Sequence, residues 1–538
     1  MEQTGRQRAA GSGRTRPPRS ALVVGGGIAG LVAARDLAAA GLRVTVVEAR
    51  AQFGGAVGSH LVDRIVLDSG ADSFATRSTA VADLALELGL GDRIVHPDPS
   101  GSWVSLPDGP RPAQRSGLLG IPGDLQDPEL AKTLGRFGMW RARADLRRSA
   151  DIGADARTVG ELVRRRMGTA VRDRLVAPFT LGVHSTHPDA LDLDTVAPGL
   201  RAALREKGSL SAAAASMRAA TPAGSNVGGL RGGMNVLAEA LIEDLKARRV
   251  KLVLGYDVIA VDRDPRHEGW MVLQRQPEAG DKTAIARGEL LVMACDGPTT
   301  VRLLAGQTRE IARYQPGPPP RVALATLVVD QPALDSAPRG TGILVAPEVS
   351  TIRAKALTHV SAKWAWVREA LPDGRHVLRL SYGRVDSDGA AGSPELELTD
   401  EQLVTLAMRD AAHLLGVELP ASCLVAADVI RWDQALARSS SGHAELVQDF
   451  RAAAGALDRV AAVGAWLAGT GLAAVVADTR REIALRLAET GVREPGRHDG
   501  RDGAADPGGT AAPDHPAPGH PASDHPAPEA PDGAAPQA

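Results

Sequence analysis

Residues 21–48 read ALVVGGGIAGLVAARDLAAAGLRVTVVE, and the order of residue types in them decides the fold. A short apolar run at 21–24 meets Gly25-Gly26-Gly27-Ile28-Ala29-Gly30, which holds the GxGxxG spacing. Apolar residues then recur with a 3.6-residue period over 28–40, and a β-rich run at 43–47 ends in the acidic Glu48. Glycine-rich turns alone are common, and an ordinary β-α-β turn with a surface glutamate is the alternative. A strand before, a helix after, a second strand and an acid at its end together specify a dinucleotide fold. Gly25 permits the tight turn, Gly27 lets the backbone approach a pyrophosphate, and Gly30 allows close packing of helix on strand. The helix start offers unpaired N–H groups and partial positive charge to phosphates. Glu48 is placed to accept hydrogen bonds from a ribose.

Working outward, Gly54-Gly55 follows Glu48 closely, in EARAQFGGAVGS. A second glycine pair brings the chain near the diphosphate from the other side. Taken alone it reads as a flexible loop; joined to the first motif it favours a tightly held flavin over an exchangeable nicotinamide. A third glycine cluster stands at Gly464, Gly469 and Gly471, where Val463-Gly464-Ala465-Trp466 runs through Thr470 and Leu472 into a helix. Trp466 there either stacks on a ring system or fills the core.

Elsewhere the pattern predicts helices over 79–88, 234–248, 399–415 and 472–487, with Thr399 and Gln402 spaced as a capping box. Strands are predicted at 251–254, 258–261, 271–273, 290–294 and 460–463, and strands of a different sheet at 322–329 and 376–381. Residues 110–220 are Arg-, Leu- and Ala-rich and read as helical. Strand signals that return late in the chain imply an N-terminal domain completed by later segments.

With 62 Lys+Arg against 64 Asp+Glu in 538 residues, the net charge of −2 argues against a nucleic-acid partner. The two cysteines, Cys295 and Cys423, are too few for a disulfide framework or a Cys-rich metal site, and no metal is expected. No apolar run reaches the length of a membrane span. Residues 1–20 hold five arginines and read as a disordered arm of a cytoplasmic protein. Residues 491–538, with DHPAP twice and His498, His515, His520 and His525, read as a disordered tail.

These motifs resemble the flavin-containing amine oxidase and protoporphyrinogen oxidase superfamily, and within it the porphyrinogen oxidases of haem biosynthesis. The resemblance runs from about 21 to 488. It includes GADSFATRSTAVADLALELGLGDRIV at 70–95, LGVHSTHPDALDLDTVAP at 181–198, GLRGGMNVLAEAL at 229–241, Ile430-Arg431-Trp432, Ser441-Gly442-His443 and GAWLAGTGL at 464–472. It implies an α/β fold, α+β overall. A Rossmann-like FAD-binding domain would be built from 21–76, 225–298 and 428–490, with a helical subdomain at 77–224 that touches membranes in some members. A mixed-sheet substrate domain would occupy 299–427.

The same resemblance implies FAD-binding positions. Gly25, Gly26, Gly27, Ile28, Ala29 and Gly30 would meet the pyrophosphate, with Gly54 and Gly55 opposite, and Glu48 with Ala49 the ribose. Gly70, Ala71, Asp72 and Ser73 would lie near the flavin, Val258 at the adenine, and Trp432, Thr470, Gly471 and Leu472 in later loops. The chain departs from the family at Leu436-Ala437-Arg438-Ser439.

The implied reaction is oxidation of a porphyrinogen by dioxygen with release of hydrogen peroxide. Aromatisation drives it, and no acid/base or nucleophile constellation stands out in the sequence. Propionates need cations, and Arg77 is the candidate substrate contact. Coproporphyrinogen III, with four propionates, is favoured over protoporphyrinogen IX. Peripheral membrane contact and a haem-pathway enzyme partner stay open. So do two rivals, a flavin amine oxidase and a non-catalytic flavoprotein.

Overall fold

The computed structural model describes residues 16–114, 116–219, 227–314, 320–384, 393–433, 442–469 and 471–492. Most of the N-terminal arm, the tail beyond Val492, Thr470 and the Leu436-Ala437-Arg438-Ser439 departure lie outside these residues.

β1 (Ser20–Val24) and β2 (Arg43–Val47) flank α1 (Ile28–Ala39), as the opening motif requires. Three later strands join them: β3 (Lys251–Val253), β4 (Leu290–Met293) and β5 (Val460–Ala462). The sheet is parallel throughout, in the order β3-β2-β1-β4-β5. Its order reverses between β2 and β4 across β1, and in open α/β sheets the crevice beyond the strand ends at such a point is where ligands bind.

β1 is buried on both faces, so it reads as an unbroken apolar run. Ala21 and Val23 pack into the cluster holding α1, while Leu22 and Val24 pack with Trp270 and Val272. The latter belong to an antiparallel three-stranded sheet of Asp257–Arg263, Trp270–Gln276 and Lys282–Gly288. α1 lies between α2 (Asn235–Ala247) and α4 (Leu472–Glu489), and α3 (Gly297–Leu304) follows β4. Squeezed between two helices and a sheet, α1 is buried from Ile28 to Ala34.

A mixed seven-stranded sheet forms a separate layer. Its order is Leu424–Trp432, Val322–Asp330, Arg375–Tyr382, Ala356–His359, Gly342–Val345, Trp103–Leu106, Gly109–Pro112. Only two of these strands were visible in the sequence pattern. Four of the other five are four residues long, too short for a period-2 signal. The fifth, Leu424–Trp432, is an edge strand carrying Asp428 and Arg431 and does not alternate. The hairpin Ser59–Val62/Ile65–Asp68 was hidden for another reason: its turn residues Asp63 and Arg64, at φ 45° and 69°, take backbone conformations usually left to glycine or asparagine. Helix Asp400–Leu415 covers this sheet and opens with the Thr399/Gln402 capping box.

The region read as helical contains Pro128–Arg143, Val159–Met167, Ala177–His184, Leu200–Lys207 and Leu210–Ala219 around its own apolar core. At its centre Arg166 and Asp145, both wholly buried, form an ion pair at 2.6 Å. Arg166 also donates to the carbonyls of Ser149 (2.9 Å) and Ile152 (3.1 Å), and Asp145 accepts the Ser211 N–H at 2.9 Å. Only such saturation makes two buried charges tolerable. Among the described residues no helix is long and apolar enough to cross a membrane.

Candidate active site

A cavity of about 450 Å³ opens beyond the carboxyl ends of β1, β2 and β4. Its floor is the glycine turn. Gly25 sits at φ +109°, and a Cβ there would stand 2.6 Å from the Ala294 carbonyl oxygen. A Cβ on Gly30 would fall 1.9 Å from the carbonyl oxygen of Gly25, so helix and strand touch backbone to backbone. At Gly27 the nearest atom to such a Cβ is the Gly55 Cα, 4.0 Å away, an ordinary contact distance, so a Cβ would meet no clash there.

The second glycine pair closes on the first. Gly54 N–H donates to the Gly26 carbonyl at 2.8 Å, and Gly27 and Gly54 form a parallel bridge. Glu48 ties the turn together: its carboxylate accepts the N–H of Gly26 at 2.6 Å and of Arg50 at 2.9 Å. Gly26 is thereby turned away from the cavity and packs on Phe53.

Of the sequence-predicted positions, Gly25, Gly27, Ile28, Ala29, Glu48, Ala49, Gly54, Gly55, Val258, Trp432 and Leu472 line the cavity. Gly471 is the N-cap of α4. Gly70, Ala71, Asp72 and Ser73 do not line it directly; they form a strap beside Trp432, whose indole Nε1–H donates to the Ser69 carbonyl at 2.8 Å. Arg379 donates to the carbonyls of Asp68 (3.3 Å) and Gly70 (3.2 Å). Asp72 pairs with Lys363 and Arg379, each at 2.9 Å. Burial alone would raise the Asp72 pKa, yet these two cations hold it well below the usual carboxylate range. Asp68, buried beside it, is pushed up to about 6 by burial. Arg77 is exposed and stands apart from the cavity, near His184.

Several wall residues carried no signal strong enough to find them. Asp296 caps α3 by accepting the Thr299 N–H at 2.9 Å, and α3 begins at the cavity with Gly297 and Pro298. The run Cys295-Asp296-Gly297-Pro298 directly after a β-strand was the available sign, an N-cap followed by proline in the first turn. The Arg50 guanidinium lies over the Trp432 ring, 4.9 Å from its centre. His443 Nε2 lies 2.8 Å from the Trp466 carbonyl, and burial lowers its pKa. The Cys295 thiol, pushed up to about 12 by burial, is inert. Trp466 both packs and lines: it meets Phe450 edge-on at 4.8 Å, and its buried Nε1 has no partner among the described residues.

Residues 28–478 match the family model for flavin containing amine oxidoreductases. The chain belongs to that family. It is an FAD-dependent oxidoreductase of the flavin-containing amine oxidoreductase type. The coproporphyrinogen III oxidase of Mycobacterium tuberculosis is 29% identical over 478 residues, covering 87% of this chain and 97% of that one. The chloroplastic protoporphyrinogen oxidase of Nicotiana tabacum is 25% identical over 461 residues, covering 80% and 78%. Among solved structures, a candidate protoporphyrinogen oxidase from Exiguobacterium superposes with a TM-score of 0.72 at 24% identity, covering 87% and 99%.

The cleft suits the FAD of this family. Three helices, α1, α3 and α4, start at its wall, and their partial positive charge matches a diphosphate. The open Gly27 position admits a phosphate against bare backbone. The unpartnered Trp466 Nε1–H is one more donor for a polar ligand edge.

Proposed function

We propose that this protein oxidises coproporphyrinogen III to coproporphyrin III in haem biosynthesis, with dioxygen as final acceptor and hydrogen peroxide as by-product. The similarity to a curated coproporphyrinogen III oxidase over nearly its whole length carries the reading. When bound, the flavin supplies the oxidising chemistry, accepting a hydride from a bridging carbon of the macrocycle. The protein's share is to hold cofactor and substrate and to keep the reacting edge dry. Gly25, Gly27, Ile28, Ala29, Glu48, Ala49, Gly54, Gly55, Val258, Trp432 and Leu472 would hold the FAD. Lys363 and Arg379, through Asp72, would position the 68–73 strap against Trp432. Arg77 would meet a propionate.

Development of porphyrin fluorescence under air decides the substrate. Coproporphyrinogen III should be turned over faster than protoporphyrinogen IX; the reverse order would reassign the substrate, and turnover of an amine alone would overturn the reading.

The helical layer suggests where such an enzyme would meet a lipid surface. Phe137 and Trp140 are 77% and 67% exposed and stack at 5.7 Å. Lys132, Arg136, Arg143, Arg147 and Arg148 surround them in sequence. Exposed aromatics set among basic side chains suit an anionic membrane interface.

A further inference from the structure

Where the helical layer meets the seven-stranded sheet lies a buried cation. Lys355, only 2% exposed, precedes strand Ala356–His359, and its ammonium donates to the hydroxyl of Ser185. Ser185 ends helix Ala177–His184 in the left-handed region, at φ 53°. Among the described residues Lys355 has no carboxylate partner.

The groups around it are basic. Arg384, two residues beyond strand Arg375–Tyr382, is the charge that acts on it, and donates to the Ala354 carbonyl at 2.7 Å. His184, next to Ser185, is half-buried, and exposed Arg77 acts on it in turn. Among the described residues, acids of this neighbourhood have other partners. Asp173 and Asp189 pair with Arg172, and Glu348 acts on that same cluster. Asp410 accepts the N–H groups of Arg353 and Ala354. Four basic side chains from three distant parts of the chain thus run from the exposed Arg77, through His184, to the interior. An ammonium in a dry interior costs free energy until an anion joins it.

We propose that Lys355, beside Arg384, is the subsite for a carboxylate of the substrate, the carboxylate taking the place of the Ser185 hydroxyl. This rests on the porphyrinogen reading and refines it: a tetrapyrrole with several propionates is selected by cations held apart from the flavin cleft.

Proton linkage gives the assignment a signature. Burial, with Arg384, lowers the pKa of Lys355 to about 7. An incoming carboxylate favours the charged amine, so binding takes up a proton, and affinity falls as pH rises above about 7. The groups facing the ammonium are Arg384 and Ser185, with His184 and Arg77 beyond.

The test is fluorescence quenching of coproporphyrin III by the FAD-loaded protein between about pH 6.5 and 8.5. Wild type should bind more weakly at the alkaline end. Lys355→Met should bind about ten-fold more weakly at pH 6.5 and lose the pH slope, and Arg77→Gln should bind more weakly while keeping it. Unchanged affinity and slope in a Lys355→Met protein of normal flavin content would overturn the subsite. Should that variant not fold, a pH-independent wild-type affinity overturns it equally. A wild type that oxidises coproporphyrinogen III while the variants bind normally keeps the oxidase reading and loses only the subsite. A wild type that binds no porphyrin loses both.

Discussion

The flavin cleft and the seam around Lys355 are built in opposite ways. The cleft is built mainly on backbone: glycines stripped of side chains and three helix starts, with the Glu48 carboxylate tying the turn. The seam is made of side chains, with Arg77, His184, Ser185, Lys355 and Arg384 drawn from segments hundreds of residues apart. A backbone-built site leaves a local signature, because glycine spacing and strand–helix order lie within one stretch of chain. A side-chain-built site has no such trace; its meaning appears only when the fold brings its side chains together.

The helical layer sharpens this contrast most strongly. Arg166→Ala leaves Asp145 buried and unpaired, and should lower stability by about 3–5 kcal/mol. Chemical denaturation checks this, and flavin content at low temperature should remain normal, since the pair is remote from the cleft. A loss below about 1 kcal/mol would mean that the layer does not depend on its buried charges.

In the cleft the effect should reverse in kind. Gly27→Val puts a side chain at the cavity wall where its Cβ meets no clash, so the apoprotein should fold while FAD affinity drops at least about ten-fold. Absorbance of the purified protein measures it, and normal flavin content would break the assignment of this turn to the diphosphate. The smallest effect belongs to the surface: Phe137→Ser with Trp140→Ser should reduce sedimentation with anionic vesicles roughly ten-fold and leave turnover in solution unchanged. Equal sedimentation of variant and wild type would remove the membrane proposal.

Much of the fold was legible because its central elements are long or strongly patterned. α1, α2 and the helix Asp400–Leu415 fall within a residue or so of the ranges read from sequence. What escaped notice were strands of four residues and a hairpin turned by Asp63 and Arg64. In the site, the glycine turns could be read because each glycine meets a backbone constraint. The resemblance puts the strap from Gly70 to Ser73 near the flavin; in the structure it adjoins the cavity residue Trp432 and is held by Lys363 and Arg379. Those two basic residues come from other parts of the chain, and nothing local to residues 70–73 announces them.

The most direct test of the central claim is an anaerobic titration of the purified yellow protein with coproporphyrinogen III, followed by flavin absorbance. Six electrons leave each macrocycle and two enter each flavin, so bleaching should finish near one porphyrinogen per about three flavins. A flavin that stays oxidised with the porphyrinogen, or a colourless protein that takes up no FAD, would contradict the account.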